Sequence, residues 1–320
     1  KPLPEQLRSK QEHLEKTLRR KVDRVWPSPE TEGYRYRISM RPDAEGRLGY
    51  FKPRSHEHVP ASECAIAHPL IQACIAEAGP TGFPARSVEF RTDGTRTLVH
   101  VRSLRNSKAP RDAVQKWAGS AASGGAVDGA HAWGESRLEF HAGGILHSIG
   151  PSTFYQVNLP VNRLLVDAVM AHALRFSPTR ILDLYAGCGN LSLPLAAQGK
   201  GALLVESAAA SLADARRTAR KMGLEIETRR MDAGKFQAGD AFFDLALLDP
   251  PRSGAPGVIG QLALTRPKAI VYVSCEPRSL ARDLGEAARH GYKVDRLEVF
   301  DMFPHTRHVE ALCVLTRTSS

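Results

Sequence analysis

The sequence predicts an α/β protein with a mostly parallel sheet ending in one antiparallel strand in residues 151–320, and a smaller α+β domain in residues 1–150. Three observations predict it. In the second half the apolar runs "RILDLYAG", "GALLVESA", "FFDLALLDPP" and "AIVYVSC" alternate with helical stretches such as "AAASLADARRTARKMG", the alternation that builds a parallel sheet covered on both faces. The tail adds "YKVDRLEVFDMF" and "EALCVLTRT", joined by a connection too short for a parallel crossover, so the last strand runs antiparallel. The first half shows short alternating polar and apolar segments instead.

Size and composition agree. A chain of 320 residues exceeds the usual single domain, and either half can bury a core. With 42% hydrophobic residues and no run long enough to cross a bilayer, the expectation is a cytoplasmic protein. Five cysteines, Cys64, Cys74, Cys188, Cys275 and Cys313, are odd in number and lack CxxC spacing, which suits a reducing compartment better than a disulfide framework. A formal charge of +10 points to a polyanionic partner without separating RNA from DNA. The chain begins at Lys1 rather than Met, so further sequence is expected upstream.

From Leu7 to Val25 apolar residues recur at helical spacing with basic residues between them, an amphipathic helix whose basic face reads as solvated. Residues 34–60 alternate around the turn "DAEGR" as a hairpin does, decorated by Arg35, Arg37, Arg41, Lys52 and Arg54. A helix over 66–78 and an alternating segment over 87–103 follow. The run "GSAASGGAVDGAHAWGESR" reads as a flexible loop.

The second half carries the chemistry. In "LDLYAGCGN" Gly187 and Gly189 follow an apolar strand and let the backbone turn sharply against a ligand. The third glycine of a dinucleotide fingerprint is missing, which disfavours a pyrophosphate. The next strand ends in Glu206, placed to accept hydrogen bonds from ribose hydroxyls. Together these suit adenosine without a pyrophosphate, as in S-adenosylmethionine. "LLDPPRSG" leaves Asp249 at a sheet edge in a backbone stiffened by Pro250 and Pro251, which serves equally as a strand exit or as a rigid holder. Cys275 closes the run "AIVYVSC" on that same edge. A cysteine beside such a run is usually a small buried hydrophobe. Here the following helix N-terminus, Arg278 or Arg282 would favour a reactive thiolate.

"FYQVN", "LDLYAGCGN", "DPPRSG", "YVSCEPRSLARD" and "DMFPHTRHVE", in that order, resemble the RNA uracil-C5 methyltransferases that make 5-methyluridine in tRNA and 23S rRNA. The resemblance covers the second half and, more loosely, "RYRISM" to "SEC" in the first. It implies a Rossmann-like class I methyltransferase sheet, S-adenosylmethionine as cofactor, and RNA as partner, with a monomer expected. It implies that Cys275 adds to uracil C6, because C5 is too weak a nucleophile until a thiolate makes the enolate. It makes Glu310 the base that removes the C5 proton, and Gln156, Tyr185, Asn190, Glu206, Asp232 and Asp249 cofactor contacts. Arg252 and Arg278 match phosphate or uracil contacts, or stand as solvated surface positions; His305 and His308 read as spectators. Glu276, Arg278 and Thr218 depart from the family's common residues without removing a catalytic group. The target uridine is expected unpaired or flipped out, because stacking hides C6.

Some family members hold a [4Fe-4S] cluster through three clustered cysteines and a fourth in a context like "SECAIAHPL". Cys64 matches only that fourth position, and one cysteine cannot hold four irons, so the other three are expected upstream. A free buried thiol fits the same residues. No small RNA-holding β-barrel is visible either. Cytosine-C5 enzymes place a cysteine in the motif that reads "DPPRSG" here, and adenine-N6 enzymes an aromatic where Arg252 stands; a flavin-dependent methylase wants a fuller glycine motif. The remaining rival is a non-catalytic RNA-binding protein that keeps the fold.

Overall fold

The computed structural model describes residues 2–237, 239 and 241–318. Helix α1 (Leu3–Leu18) is followed by strand β1 (Arg24–Trp26), and then by a seven-stranded sheet. That sheet contains β2 (Arg37–Pro42), β3 (Leu48–Phe51), β4 (His58–Pro60), β5 (Ala85–Thr92), β6 (Thr97–Ser103), β7 (Gly124–Val127) and β8 (Ala130–Gly134), in the order β4-β3-β2-β5-β6-β7-β8. Helix α2 (Pro69–Glu77) lies between β4 and β5, and α3 (Arg111–Ala118) makes the crossover to β7, parallel to β6. The other pairs are antiparallel. The run expected to be a flexible loop therefore supplies two strands. Its small residues serve close packing: a Cβ at Gly125 would lie 2.2 Å from the Trp133 ring, and one at Gly124 2.2 Å from Glu135 O.

A hairpin of β9 (Leu138–Ala142) and β10 (Ile145–Ile149) precedes α4 (Leu159–Leu174), β11 (Arg180–Leu184), α5 (Ser192–Ala196), β12 (Gly201–Glu206), α6 (Ala209–Lys221) and β13 (Glu227–Arg230). Then come β14 (Leu245–Leu248), α7 (Val258–Thr265), β15 (Ala269–Ser274), α8 (Pro277–Arg289), β16 (Tyr292–Phe300) and β17 (Glu310–Arg317). The eight-stranded sheet runs β1-β16-β17-β15-β14-β11-β12-β13, with only β17 antiparallel to its neighbours. One apolar layer packs α7 and α8 on one face, with Leu182, Leu248 and Tyr272 in it; a second packs α4 on the other, with Ile181, Leu247 and Val271. Alternate residues of each central strand face opposite layers, so both faces must be apolar.

The helix expected to reach Val25 stops at Leu18, where Arg19 takes a left-handed conformation with φ of 53°. Trp26 then stacks on Phe300 at 5.6 Å, in register with β16. Residues 3–26 thus pack on the second-half sheet although they precede the first. The β9–β10 hairpin is also held from this side: Asp214 Oδ2 accepts from Gly150 N at 2.8 Å, and the buried Thr218 hydroxyl accepts from Ser148 N at 3.1 Å. The Thr218 departure thus has a structural use.

Candidate active site

The carboxyl ends of the five parallel strands β11, β12, β13, β14 and β15 meet along one edge, and strand order reverses at β11, where open α/β sheets take their ligands. Past β11, Tyr185 (φ 63°), Gly187 (φ 56°) and Gly189 (φ 80°) are left-handed. A Cβ on Gly187 would meet nothing within 4 Å, so its backbone is open to a ligand, whereas one on Gly189 would press on Leu193 at 2.7 Å. Glu206 closes the turn: Oε2 accepts from Gly187 N at 3.0 Å, and Oε1 from Ala208 N at 2.7 Å. Asn190 exchanges amide hydrogen bonds of 2.9 and 3.1 Å with Asn162 of α4, which fixes its orientation. Asp232 is exposed past β13, where its carboxylate accepts from Gly234 N at 2.9 Å. Gln156 does not cap α4; Asn158 does. The segment around Gln156 packs on the glycine turn, with Tyr155 and Cys188 in one apolar cluster.

Asp183 was missed in the sequence. It is 1% exposed in the middle of β11, and neither carboxylate oxygen has a hydrogen-bond partner. Burial first, then the charges of Asp249 and Glu206, push it up from an ordinary 3.8 to about 8; the nearby Ser192 hydroxyl opposes the shift without reaching hydrogen-bond geometry. A carboxylate inside the apolar run "RILDL" was the available signal. Below about pH 4 this acid is protonated in both folded and unfolded chains, and it favours neither. Between about pH 4 and 8 the unfolded chain ionises while the folded one keeps its proton, so stability falls by up to about 1.4 kcal/mol per pH unit. Asp183→Asn should remove that part of the slope, so that its advantage over wild type in urea melts without ligand widens from pH 5 to pH 8. Parallel curves would refute the assignment. Glu206 and Asp249 beside the open glycine turn offer carboxylates that fit a cationic nucleoside such as S-adenosylmethionine, with the protonated Asp183 buried beneath them.

At the far end of the site the antiparallel pairing ends at Ser274↔Ala311, so Cys275 and Glu310 are the next residues of the two strands and lie near enough for the Glu310 charge to act on the thiol. Asp249 is held up to about 7 by burial. Glu310, 3% exposed, is pushed well above the usual carboxylate range by burial and then by Asp249, with Arg252 opposing. The Cys275 thiol is pushed up to about 11 by burial, Glu310 and Asp249, again against Arg252. Arg252, rather than Arg278 or Arg282, is thus the cation acting on the thiol. Arg282 instead binds Asp283 and Ser253 O, each at 2.7 Å. Asp283 organises the loop that carries Arg252, accepting from the Tyr272 hydroxyl at 2.6 Å and Ala255 N at 2.8 Å. A Cβ at Gly254 would lie 2.5 Å from that same carboxylate, which accounts for the glycine.

Cys275 opens into a cleft of about 1110 Å³ walled by α1, the start of α8 and residues 305–309, with Arg252, Arg278, Arg282 and Arg307 lining it. The arrangement offers a thiol, an elevated carboxyl base and cations around one entrance. Cys64 lies between β4 and α2, half-buried against the core of the seven-stranded sheet, its backbone N–H donating to Gln72 Oε1 at 2.7 Å. Among the described residues no three His, Cys, Asp or Glu side chains converge to hold a metal, and Cys64 stands without a second cysteine ligand beside it. Nor is any described helix long and apolar enough to cross a membrane.

Comparison with known proteins decides the family. The model of the tRNA (uracil-5-)-methyltransferase family matches residues 227–318. The 23S rRNA (uracil(1939)-C(5))-methyltransferase RlmD of Salmonella typhi is 30% identical over 98% of this chain and 77% of its own length. The chain belongs to the RNA uracil-C5 methyltransferases. RlmD of Alkalilimnicola ehrlichii reaches 42% identity over 54% of the chain, an alignment spanning only 40% of that relative's length. The tRNA (uracil-54, C5)-methyltransferase of Pyrococcus abyssi, solved with S-adenosyl-L-homocysteine, superposes with a TM-score of 0.79 at 24% identity, covering 98% of this chain and 83% of that one. The fold is that of a class I methyltransferase.

Proposed function

We propose that this chain transfers a methyl group from S-adenosylmethionine to C5 of an RNA uridine through a covalent adduct between Cys275 and C6. The observation that carries the reading is the β15–β17 register, whose last pair, Ser274↔Ala311, brings the next residues, Cys275 and Glu310, near each other beside Asp249 and Arg252. Glu206 would accept the ribose hydroxyls, and Gln156, Tyr185, Asn190, Asp232 and Asp249 would line the rest of the cofactor site, against the open backbone of Gly187 and Gly189. S-adenosylmethionine, when bound, supplies an electrophilic methyl on a sulfonium. The Cys275 thiolate adds to C6, its charge favoured by Arg252, and the electrons displaced onto C5 and O4 make C5 nucleophilic. Once C5 carries the methyl, Glu310 takes the C5 proton, the C5=C6 double bond re-forms and the C6–S bond breaks.

A thiol this recessed reaches C6 only if the uridine leaves its stack, so the substrate is an unpaired or flipped uridine with its phosphates along the basic cleft. The names of the relatives point to rRNA or tRNA as the RNA. The same reading places the enzyme in the cytoplasm, where thiols stay reduced, working as a monomer. The test is incubation with labelled S-adenosylmethionine and total RNA from a host lacking 5-methyluridine, the product being mapped by mass spectrometry. Label at uridine C5 is expected. RNA binding without transfer would instead make the protein a binding module on a methyltransferase fold.

A further inference from the structure

Residues 301–309 connect β16 to β17 and lead into Glu310, and the last five of them, 305–309, form one wall of the cleft. Side chains from outside the loop hold four successive residues of it. Asn158 Nδ2 donates to Met302 O at 3.3 Å, Lys10 Nζ to Phe303 O at 2.9 Å, and the Tyr34 hydroxyl to Pro304 O at 2.9 Å, while Gln6 Oε1 accepts from His305 N at 2.9 Å. Lys10 also pairs with Asp301 at 2.5 Å, the two side chains being 3% and 0% exposed. An ammonium group is costly to bury unless it is paired and hydrogen-bonded, and Lys10 is both. Three of the four holders come from residues 6–34, which the sequence read as part of another domain. The same α1 face lines the cleft beside Cys275.

We propose that Lys10, aided by Gln6 and Tyr34, positions the 301–309 loop for the proton-removal half of the reaction. An unrestrained loop of this length samples many conformations, while a base must meet its proton within a fraction of an ångström. The proposal rests on reading Glu310 as the base. In the step concerned the Glu310 carboxylate takes the C5 proton, the C5–H electrons form the C5=C6 bond, and the C6–S electrons return to Cys275 as thiolate. Lys10 touches neither reacting atom.

The experiment pairs Lys10→Met with Asp301→Asn, so that no lone charge stays buried, and uses total RNA from a host lacking 5-methyluridine, containing either uridine or 5-fluorouridine. On 5-fluorouridine there is no C5 proton to remove, so trapping reports thiol addition and methyl transfer alone. The double variant should trap 5-fluorouridine RNA at close to the wild-type rate. On uridine RNA its turnover should fall on the order of 10- to 100-fold, with a denaturant-stable protein–RNA adduct building up. Lys10→Arg, which keeps the ion pair, should recover most of the turnover. Gln6→Ala leaves that pair intact and guards against misfolding; it should shift turnover and adduct in the same direction by less. Loss of trapping and turnover together, in the double variant and in Gln6→Ala alike, would reduce the contacts to general stability. Normal turnover in Gln6→Ala, should the double variant not fold, also overturns the proposal. If Glu310→Gln accumulates adduct and the Lys10 variant does not, the positioning role fails while the base assignment stands. Absence of adduct in Glu310→Gln itself removes both.

Discussion

Cys275→Ala should abolish methyl transfer, with a loss on the order of 10⁶-fold, the scale seen when a covalent nucleophile is deleted. Without the sulfur, C5 of uracil has no enolate character and cannot attack a sulfonium methyl. The fold should survive. Cys275 is half-buried just past the end of β15, and trimming one atom from such a position changes stability by about 1 kcal/mol. Cofactor affinity should also hold, since Cys275 is not among the residues assigned to the cofactor. Burial, Glu310 and Asp249 push the thiol of the free enzyme up to about 11, and kcat/KM reports the free enzyme, so wild-type kcat/KM should climb about tenfold per pH unit through neutral pH. Arg252→Ala should lower the whole curve, because it removes the cation that opposes the shift. Labelled-methyl incorporation measures both. Transfer by Cys275→Ala within a hundredfold of wild type would mean a direct attack by C5, and the covalent reading would be lost.

How much of this could be read from the sequence depended on how local the signal was. Strand ends that carry a glycine pair, an acid or a cysteine after an apolar run are local, so Gly187, Gly189, Glu206, Asp249 and Cys275 fall on one sheet edge as expected. Thr218 was read as a departure that removes no catalytic group, and its contact with Ser148, 70 positions away, supplies its use. Helix α1 was legible as a helix, yet its partners Asp301 and His305 lie almost the whole chain away, and no periodicity encodes that docking. Its basic face read as solvated because Lys10 looks like any other surface lysine until Asp301 is placed beside it. The run around Gly124 failed for another reason. Glycine and alanine signal mobility by composition, but Gly125 is small because the Trp133 ring lies against it. Arg252 presents a third case: its reach to the thiol depends on a loop held by Asp283 from a different element.

Glu310→Gln should separate the two halves of the reaction. Glu310 opens β17, 3% exposed, and burial together with Asp249 lifts its carboxyl well above the usual range. That shift is useful to a base: a carboxylate of weaker conjugate acid takes a weakly acidic carbon-bound proton more readily, and such groups contribute about 10²- to 10⁴-fold. Glutamine keeps the shape and cannot accept the proton. Thiol addition and methyl transfer precede that step, so the variant should complete both, stop at the methylated adduct, and carry one RNA per protein through a denaturing gel. Intact-mass measurement should find the protein plus RNA plus one methyl group. Its turnover should fall within the 10²- to 10⁴-fold range while the rate of adduct formation stays near wild type. Normal turnover would move the proton to another group, and Asp249, buried in the same cluster and held up to about 7, is the one the geometry offers next. Asp249→Asn then decides between them: adduct accumulation in that variant but not in Glu310→Gln assigns the base to Asp249, whereas loss of cofactor affinity without adduct keeps Asp249 in the cofactor site.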